Sequence, residues 1–185
     1  MTPDALDLTP GAHTTAARVR AAFHGTSETR ISGSRTSPDV FLYADPGARQ
    51  ERGHRVYDGW AESDEHGEVF HFTGTGLLGD QRMTLGNRAV LEHAARGGEL
   101  HLFVADGHVG DLTTPIRYRY LGAFHLDPGT PYLERPLHVM RHRPVRAFVF
   151  RLRPVAGKPY DRDERDRAPA DPESVRPHVF VSRRP

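Results

Sequence analysis

The segment from Val56 to His93, VYDGWAESDEHGEVFHFTGTGLLGDQRMTLGNRAVLEH, constrains the fold more than any other stretch of the chain. It reads as a hairpin, a glycine-rich loop and a helix, in that order. Trp60 and Phe72 lie at mirrored positions about a turn near His66, so strands paired in that register carry both side chains on one face. Ser63, Asp64 and Glu65 fall in the turn between them. Aromatic walls beside a polar edge-reader suit a flat, heteroatom-rich ligand such as a nucleobase. The same spacing supports a second reading, in which Phe70 and Phe72 are core residues and Trp60 is a half-buried anchor.

The glycines of Gly74–Gly79 (GTGLLG) let backbone N–H groups converge. The stretch lacks the Gly-Lys-Ser/Thr ending of a phosphate loop and the spacing of a dinucleotide fingerprint, so a nucleotide cofactor is not expected. Thr84 to Arg96 reads as a helix with Thr84 near its cap and Gly97-Gly98 as its stop. Val90, Leu91, Ala94 and Ala95 form its buried stripe. Asn87, one turn earlier, faces inward and needs hydrogen-bond partners, which the glycine loop can supply. Arg82 and Arg88 point to solvent or phosphate. Met83 is either a wedge for a duplex or a core residue.

Elsewhere the chain favours short strands. Its 18 glycines and 15 prolines in 185 residues interrupt long helices, and the length fits one domain with tails. Residues 14–23 form a short helix capped by Thr14 or Thr15 and ended at Gly25, with Val19, Ala22 and Phe23 as its apolar stripe. Thr26 to Asp39 is a loop and Val40 to Tyr43 a strand, followed by an arginine-rich turn at residues 49–55. Glu99–Ala105, Ile116–His125, Leu137–Met140 and Arg146–Pro154 read as further strands. Arg117 and Arg119 share a strand face, and Arg141-His142-Arg143 lies at a turn. These arginines form either a phosphate track or a solvated sheet edge. Beyond Gly157 charge alternates and proline accumulates, the pattern of a partly disordered tail, with Val179-Phe180-Val181 as a segment that could return to the body.

Several function classes recede. Cysteine is absent, which excludes disulfides and thiolate metal sites. No apolar run reaches transmembrane length and the N-terminus has no signal-peptide pattern, so no membrane partner is expected and the cytoplasm, at the nucleoid, is the default location. None of the twelve histidines falls in a recognisable ligand spacing, and no nuclease motif follows. A non-catalytic protein without metal or cofactor is therefore expected. Net charge is only +1, yet all but one of the 25 basic residues are arginine, Lys158 being the exception. Arginine forks to phosphates and base edges, but a G+C-rich genome yields the same bias, so composition leaves nucleic acid open.

The order and spacing of several short pieces go further. Tyr57-Asp58-Gly59-Trp60, His66-Gly67, Phe70-His71-Phe72-Thr73-Gly74-Thr75-Gly76, Gly79-Asp80-Gln81, Met83-Thr84 and Gly86-Asn87-Arg88-Ala89 together resemble the SRA (SET- and RING-associated, or YDG) domain. The match is closest to the bacterial branch at the front of modification-dependent HNH restriction endonucleases, here standing alone. Gly33-Ser34-Arg35, Val40-Phe41-Leu42-Tyr43, Leu100-His101-Leu102-Phe103, Arg119-Tyr120-Leu121-Gly122 and Val149-Phe150-Arg151-Leu152 extend the likeness over about residues 30 to 155.

The resemblance implies an α+β, mainly β fold: a crescent-like open β-barrel of SRA/PUA-like type with a few flanking helices. It divides the chain into an N-terminal tail and short helix (1–25), a modified-base-binding domain (26–157) and a polar C-terminal tail (158–185). It implies methylated double-stranded DNA as partner and an extruded 5-methylcytosine as ligand. Trp60 and Phe72 would be the walls of the base pocket, where eukaryotic members commonly carry tyrosines. Asp64 would accept from the cytosine N4, although counting back from His66-Gly67 puts Ser63 there instead. The backbone at Thr73 would help read the base edge, while Tyr57 and Asp58 hold the pocket wall. Arg35 and Ser34 would lie at the DNA face, with Arg82, Met83 and Gly76 as further DNA contacts. Thr75 to Gln81 is much shorter than the finger of eukaryotic readers of hemimethylated CpG, which implies weak dependence on sequence context. The alternatives are the recognition subunit of a restriction system with a separate nuclease, and a reader of another modified base.

Overall fold

In the computed structural model, which describes residues 6–25, 30–46, 57–61, 63–76, 79–110, 115–137 and 144–169, the apolar run Val40–Ala44 is buried at every position. The cause is its place in the sheet. The strands are β1 (His13–Thr14), β2 (Ile31–Gly33), β3 (Val40–Ala44), β4 (Gly59–Trp60), β5 (Phe70–Thr73), β6 (Leu100–His108), β7 (Ile116–Leu126), β8 (Tyr132–Leu137) and β9 (Val145–Pro154). The helices among the described residues are α1 (Ala16–Phe23) and α2 (Leu85–Glu92), with 3-10 turns at Ala94–Arg96 and Glu164–Asp166. The strands form one open mixed sheet in the order β2-β3-β6-β7-β9-β5-β4, with β1 added on β7 and β8 on β9. Among the described strands, only β3 and β6 pair in parallel. Covering both faces of that pair is what permits the unbroken apolar sequence.

One face packs Val40, Leu42, Leu100, Leu102, Leu121 and Phe124 with Val90 of α2 and the phenylalanines of β5 and β9. On the other face, Val19 of α1 meets Phe41, Tyr43, Phe103 and Tyr120, with Leu6, Leu8 and Phe23 against them. Thr15 caps α1, its hydroxyl accepting from the Arg18 N–H, and His24 ends it in the left-handed region at φ 50°. The mainly β, open-sheet expectation is met. No helix among the described residues is long and apolar enough to cross a membrane.

Three elements differ from the sequence reading. The helix expected to reach Arg96 ends at Glu92 and is followed by a 3-10 turn in which Ala94 and Ala95 are exposed rather than part of a buried stripe. Residues 31–33 of the expected loop pair with β3. Of the strand expected at Leu137–Met140, residues 138–140 lie outside the described residues; Leu137 ends β8, whose Pro136 sits opposite Arg146. Among the described residues β8 pairs on one side only, so a proline without an N–H is tolerated there. Third, Lys158–Pro169 is packed on the body rather than forming a tail: the Asp161 N–H donates to Leu121 O at 2.8 Å and the Ala168 N–H to Trp60 O at 2.8 Å. The expected turns at 49–55 and 141–143, and the segment 179–181, lie outside the described residues.

Candidate nucleic-acid interface

Strand alternation sorts the hairpin into two faces. Trp60 pairs with Phe70, and Gly59 with His71; β5 then pairs with β9, placing Phe72 opposite Phe150, His71 opposite Arg151 and Thr73 opposite Val149. Phe70 and Phe72 therefore point into the core with Phe148 and Phe150. His71, Val149 and Arg151 point the other way, beside Leu133 and Arg135 of β8. Against this second face lies a cavity of about 830 Å³, within the size range of small-molecule sites. Tyr57, Trp60, Ala61, Ser63, Val69 and Thr130 complete its hairpin side, and Arg162, Arg167, Ala168 and Pro169 close it from the C-terminal segment.

The expected pair of aromatic walls is not formed. Phe72 is fully buried and absent from the cavity, and the Arg30 guanidinium lies 4.9 Å from its ring centroid. Trp60 is only 2% exposed; its ring meets Phe70 edge-on at 5.3 Å and Phe124 and Tyr160 at 6.0 Å, yet the residue borders the cavity. The physical reason is position in the sheet. Both rings face the core side, but β4 is the last strand in the sheet order, so Trp60 borders the cavity, whereas Phe72 on the inner strand β5 is enclosed.

The Ser63/Asp64 alternative separates clearly in space. Ser63 is exposed and lines the cavity. Asp64 does not line it. Its carboxylate accepts from Arg153 Nη2 at 2.7 and 2.9 Å, from Arg151 Nη2 at 2.8 Å and from the His66 N–H at 2.9 Å. The hydrogen bond from Arg153, then the His66 N–H, hold it well below the usual carboxylate range. Asp127, buried behind the same arginines, also stays low: burial opposes ionisation, but the Thr130 N–H and Arg153 outweigh it. This cluster ties the hairpin turn to β9.

Tyr57 and Asp58 hold the wall. The Tyr57 hydroxyl donates to Pro136 O at 2.7 Å and its N–H to Thr73 Oγ1 at 2.8 Å. Asp58, fully buried, accepts from the Thr73 N–H and the Asp45 N–H at 2.9 Å and pairs with Arg30. Thr73 is thus a link between these residues, itself 1% exposed. Gly59, at φ +132°, is required by close approach: a Cβ there would lie 2.4 Å from Asp166 O.

The glycine loop is tied from both ends. Asn87 accepts from the Thr75 N–H at 2.8 Å and donates to Thr75 O and Arg82 O at 2.9 Å. Gln81, buried and unforeseen in the sequence, donates to Gly74 O at 2.9 Å and accepts from the Phe148 N–H at 2.9 Å. Among the expected DNA contacts, Arg35, Arg82 and Gly76 are exposed. The Ser34 hydroxyl is used within its loop, donating to Phe23 O at 2.9 Å, and Met83 is half-buried against the core. Arg119 is no part of a phosphate track: it is buried and paired with Asp161 and Asp166. Sequence reading also passed over His71 and Arg151 as cavity residues. Their signal was alternation, since His71 lies between Phe70 and Phe72 and Arg151 between Phe150 and Leu152. Among the described residues, no group of three or more His, Asp or Glu side chains is placed to hold a metal ion.

Residues 11–113 match the family described as ScoMcrA-like, SRA domain. The chain belongs to that SRA family. Among solved structures, the sulfur-binding and SRA domains of ScoMcrA complexed with phosphorothioated DNA align with a TM-score of 0.54 at 19% identity, covering 90% of this chain and 44% of that one. The SUVH5 SRA domain in complex with methylated CHH DNA gives 0.52 at 16% identity, covering 86% and 96%. AspBHI, a DNA modification-dependent restriction endonuclease, gives 0.51 at 12%, covering 84% and 44%. These likenesses establish the shared fold, and the chain spans less than half of the ScoMcrA and AspBHI chains. No curated protein matches it. The family match ends before β7, so the β8, β9 and C-terminal walls of the cavity come from residues outside this SRA match.

Proposed function

We propose that this SRA domain reads 5-methylcytosine in duplex DNA by receiving the extruded base in the cavity beside Trp60. The observation that carries this reading is an open cavity, bordered by Trp60 and Ser63, on the outward face of a hairpin that lies within the family match. Extrusion costs a few kcal/mol, and stacking on ring faces returns about 1–3 kcal/mol per base. With Phe72 in the core, the rings available beside Trp60 are Tyr57 and His71. Ser63 accepts from the cytosine N4; Asp64, already committed to two arginines, fixes the turn that presents Ser63. Asp58, Thr73 and Phe72 act from behind, holding the wall. The methyl group packs against Val149, Leu133 and Val69, a gain of about 0.8 kcal/mol, or roughly fourfold in affinity.

Arg35 and Arg82 supply phosphate contacts, and the exposed backbone at Gly76 approaches the duplex. Ser34 and Met83 shape that surface from within their loops. The short, tethered loop between Gly74 and Gln81 supports weak context dependence. A gel-shift series with methylated and unmethylated duplexes, repeated with Trp60→Ala and Ser63→Ala, tests the reading. Preference for the methylated duplex, lost in both variants, is expected; a wild-type protein indifferent to the modification refutes it. Comparable binding to methylated CG, CC and CA is expected as well, and a strict CG preference removes the context claim.

A second reading has its own support, since two of the similar structures belong to restriction endonucleases. The chain would then be the recognition part of a modification-dependent system with a separate nuclease. Co-purification with an endonuclease would favour it. A titration over C, 5-methyl-C, 5-hydroxymethyl-C and 6-methyl-A DNA separates either reading from recognition of another base.

A further inference from the structure

Lys158–Pro169 lies beyond the family match and crosses the body as a fixed strap. Backbone hydrogen bonds join it to Leu121 and Trp60. Gly59 lets its backbone pass within the space of a methyl group. Buried Arg119 clasps its Asp161 and Asp166. From this strap Arg162 reaches the cavity wall, its guanidinium 5.5 Å from the Trp60 ring centroid and ion-paired with Glu68 and Glu164. A guanidinium within cation–π range of an indole and held by two carboxylates is oriented before any ligand arrives.

We propose that the strap is part of the base site and that Arg162 reads the cytosine ring, donating to N3 and O2 while Ser63 accepts from N4. This deepens the reading above and rests on an extruded cytosine occupying the cavity. The chemistry is complementary: N3 and O2 are adjacent acceptors, and a planar guanidinium presents parallel N–H donors at that spacing. Thymine also carries a 5-methyl group, but its N3 bears a hydrogen. Donor then faces donor, so the same fork separates 5-methylcytosine from thymine, which the methyl pocket alone does not.

The test is affinity for three duplexes with one 5-methyl-C, C or T opposite G. It uses the wild-type chain, Arg162→Ala, Arg162→Lys and Arg165→Ala. Arg165 is an exposed strap arginine paired with Asp163 and outside the cavity, so it controls for charge. Wild type binds the 5-methyl-C duplex most tightly. Arg162→Ala and Arg162→Lys each lose about tenfold or more on that duplex and a similar factor on the C duplex, which offers the same N3 and O2, while T affinity is nearly unchanged; Arg165→Ala loses nothing. Fluorescence of Trp60, the sole tryptophan, and the melting temperature report whether each variant is folded. If the alanine variant unfolds, the lysine variant, which keeps the cation, decides. Full binding by Arg162→Lys overturns the inference, because a point charge then suffices. Equal weakening on all three duplexes with a salt slope lower by about one also overturns it, as that marks a phosphate contact. A wild-type protein blind to 5-methyl-C refutes the underlying reading instead.

Discussion

Replacing Gln81 by alanine removes a buried amide that staples the glycine loop to β9. Gln81 is 3% exposed; its Nε2 donates to Gly74 O at 2.9 Å and Gly76 O at 3.3 Å, and its Oε1 accepts from the Phe148 N–H at 2.9 Å. Two neighbouring backbone bonds survive the change, Gly74 N–H to Phe148 O and Gln81 N–H to Arg146 O, both 2.8 Å. What is lost leaves the Phe148 N–H and the Gly74 carbonyl unmatched in the interior. Each such group costs about 1–3 kcal/mol, so the total is about 2–6 kcal/mol. At roughly 2–4 °C per kcal/mol for a domain of this size, the melting temperature falls by about 8–16 °C for a mid-range loss near 4 kcal/mol. Urea unfolding followed by Trp60 fluorescence measures the change directly. Gln81→Glu keeps an acceptor for Phe148 but loses both donors and buries a charge, so it should fall at least as far. If Gln81→Ala stays within about 0.5 kcal/mol of wild type, the effect of an ordinary surface change, the staple argument is wrong.

Gly59→Ala should push the strap off the hairpin, because the added Cβ meets Asp166 O and the φ of +132° is unfavourable to alanine. Faster proteolytic cleavage within residues 158–169 is the expected result, and an unchanged digestion pattern would refute it. Asp58→Ala strips the buried partner from Arg30 and two backbone N–H acceptor contacts, a loss of about 3–5 kcal/mol in denaturant unfolding; a loss below about 1 kcal/mol would show that Asp58 is not the anchor. For Asp64, the folded carboxyl titrates below its ordinary value, so its stabilisation is complete above about pH 4 and fades as pH falls further. The melting-temperature difference between wild type and Asp64→Asn should therefore be constant from about pH 7 to 5 and shrink in stronger acid. A difference that grows in acid would contradict the arginine pairing.

Much of this was written in local pattern. The apolar run at Val40, the caps of Thr15 and Gly97, the inward Asn87 and the hairpin from Gly59 to Thr73 each follow from periodicity and turn chemistry acting over a few residues. The YDG pieces named the family for the same reason, since their spacing is a property of the chain alone. Which residues of the hairpin meet the cavity was not local. The two-residue shift that puts Phe70 rather than Phe72 opposite Trp60 leaves all three rings on the core face, and the enclosure of Phe72 depends on the β9 phenylalanines, about 80 residues away. The same holds for Asp64, claimed by Arg151 and Arg153, and for the arginine- and proline-rich stretch after Gly157. Its polarity reads as disorder because its burial comes from Arg119, Gly59 and Trp60, partners far off in sequence. Local preferences decide what a segment can form, whereas partners for buried charges and the open side of a sheet exist only once distant strands have met.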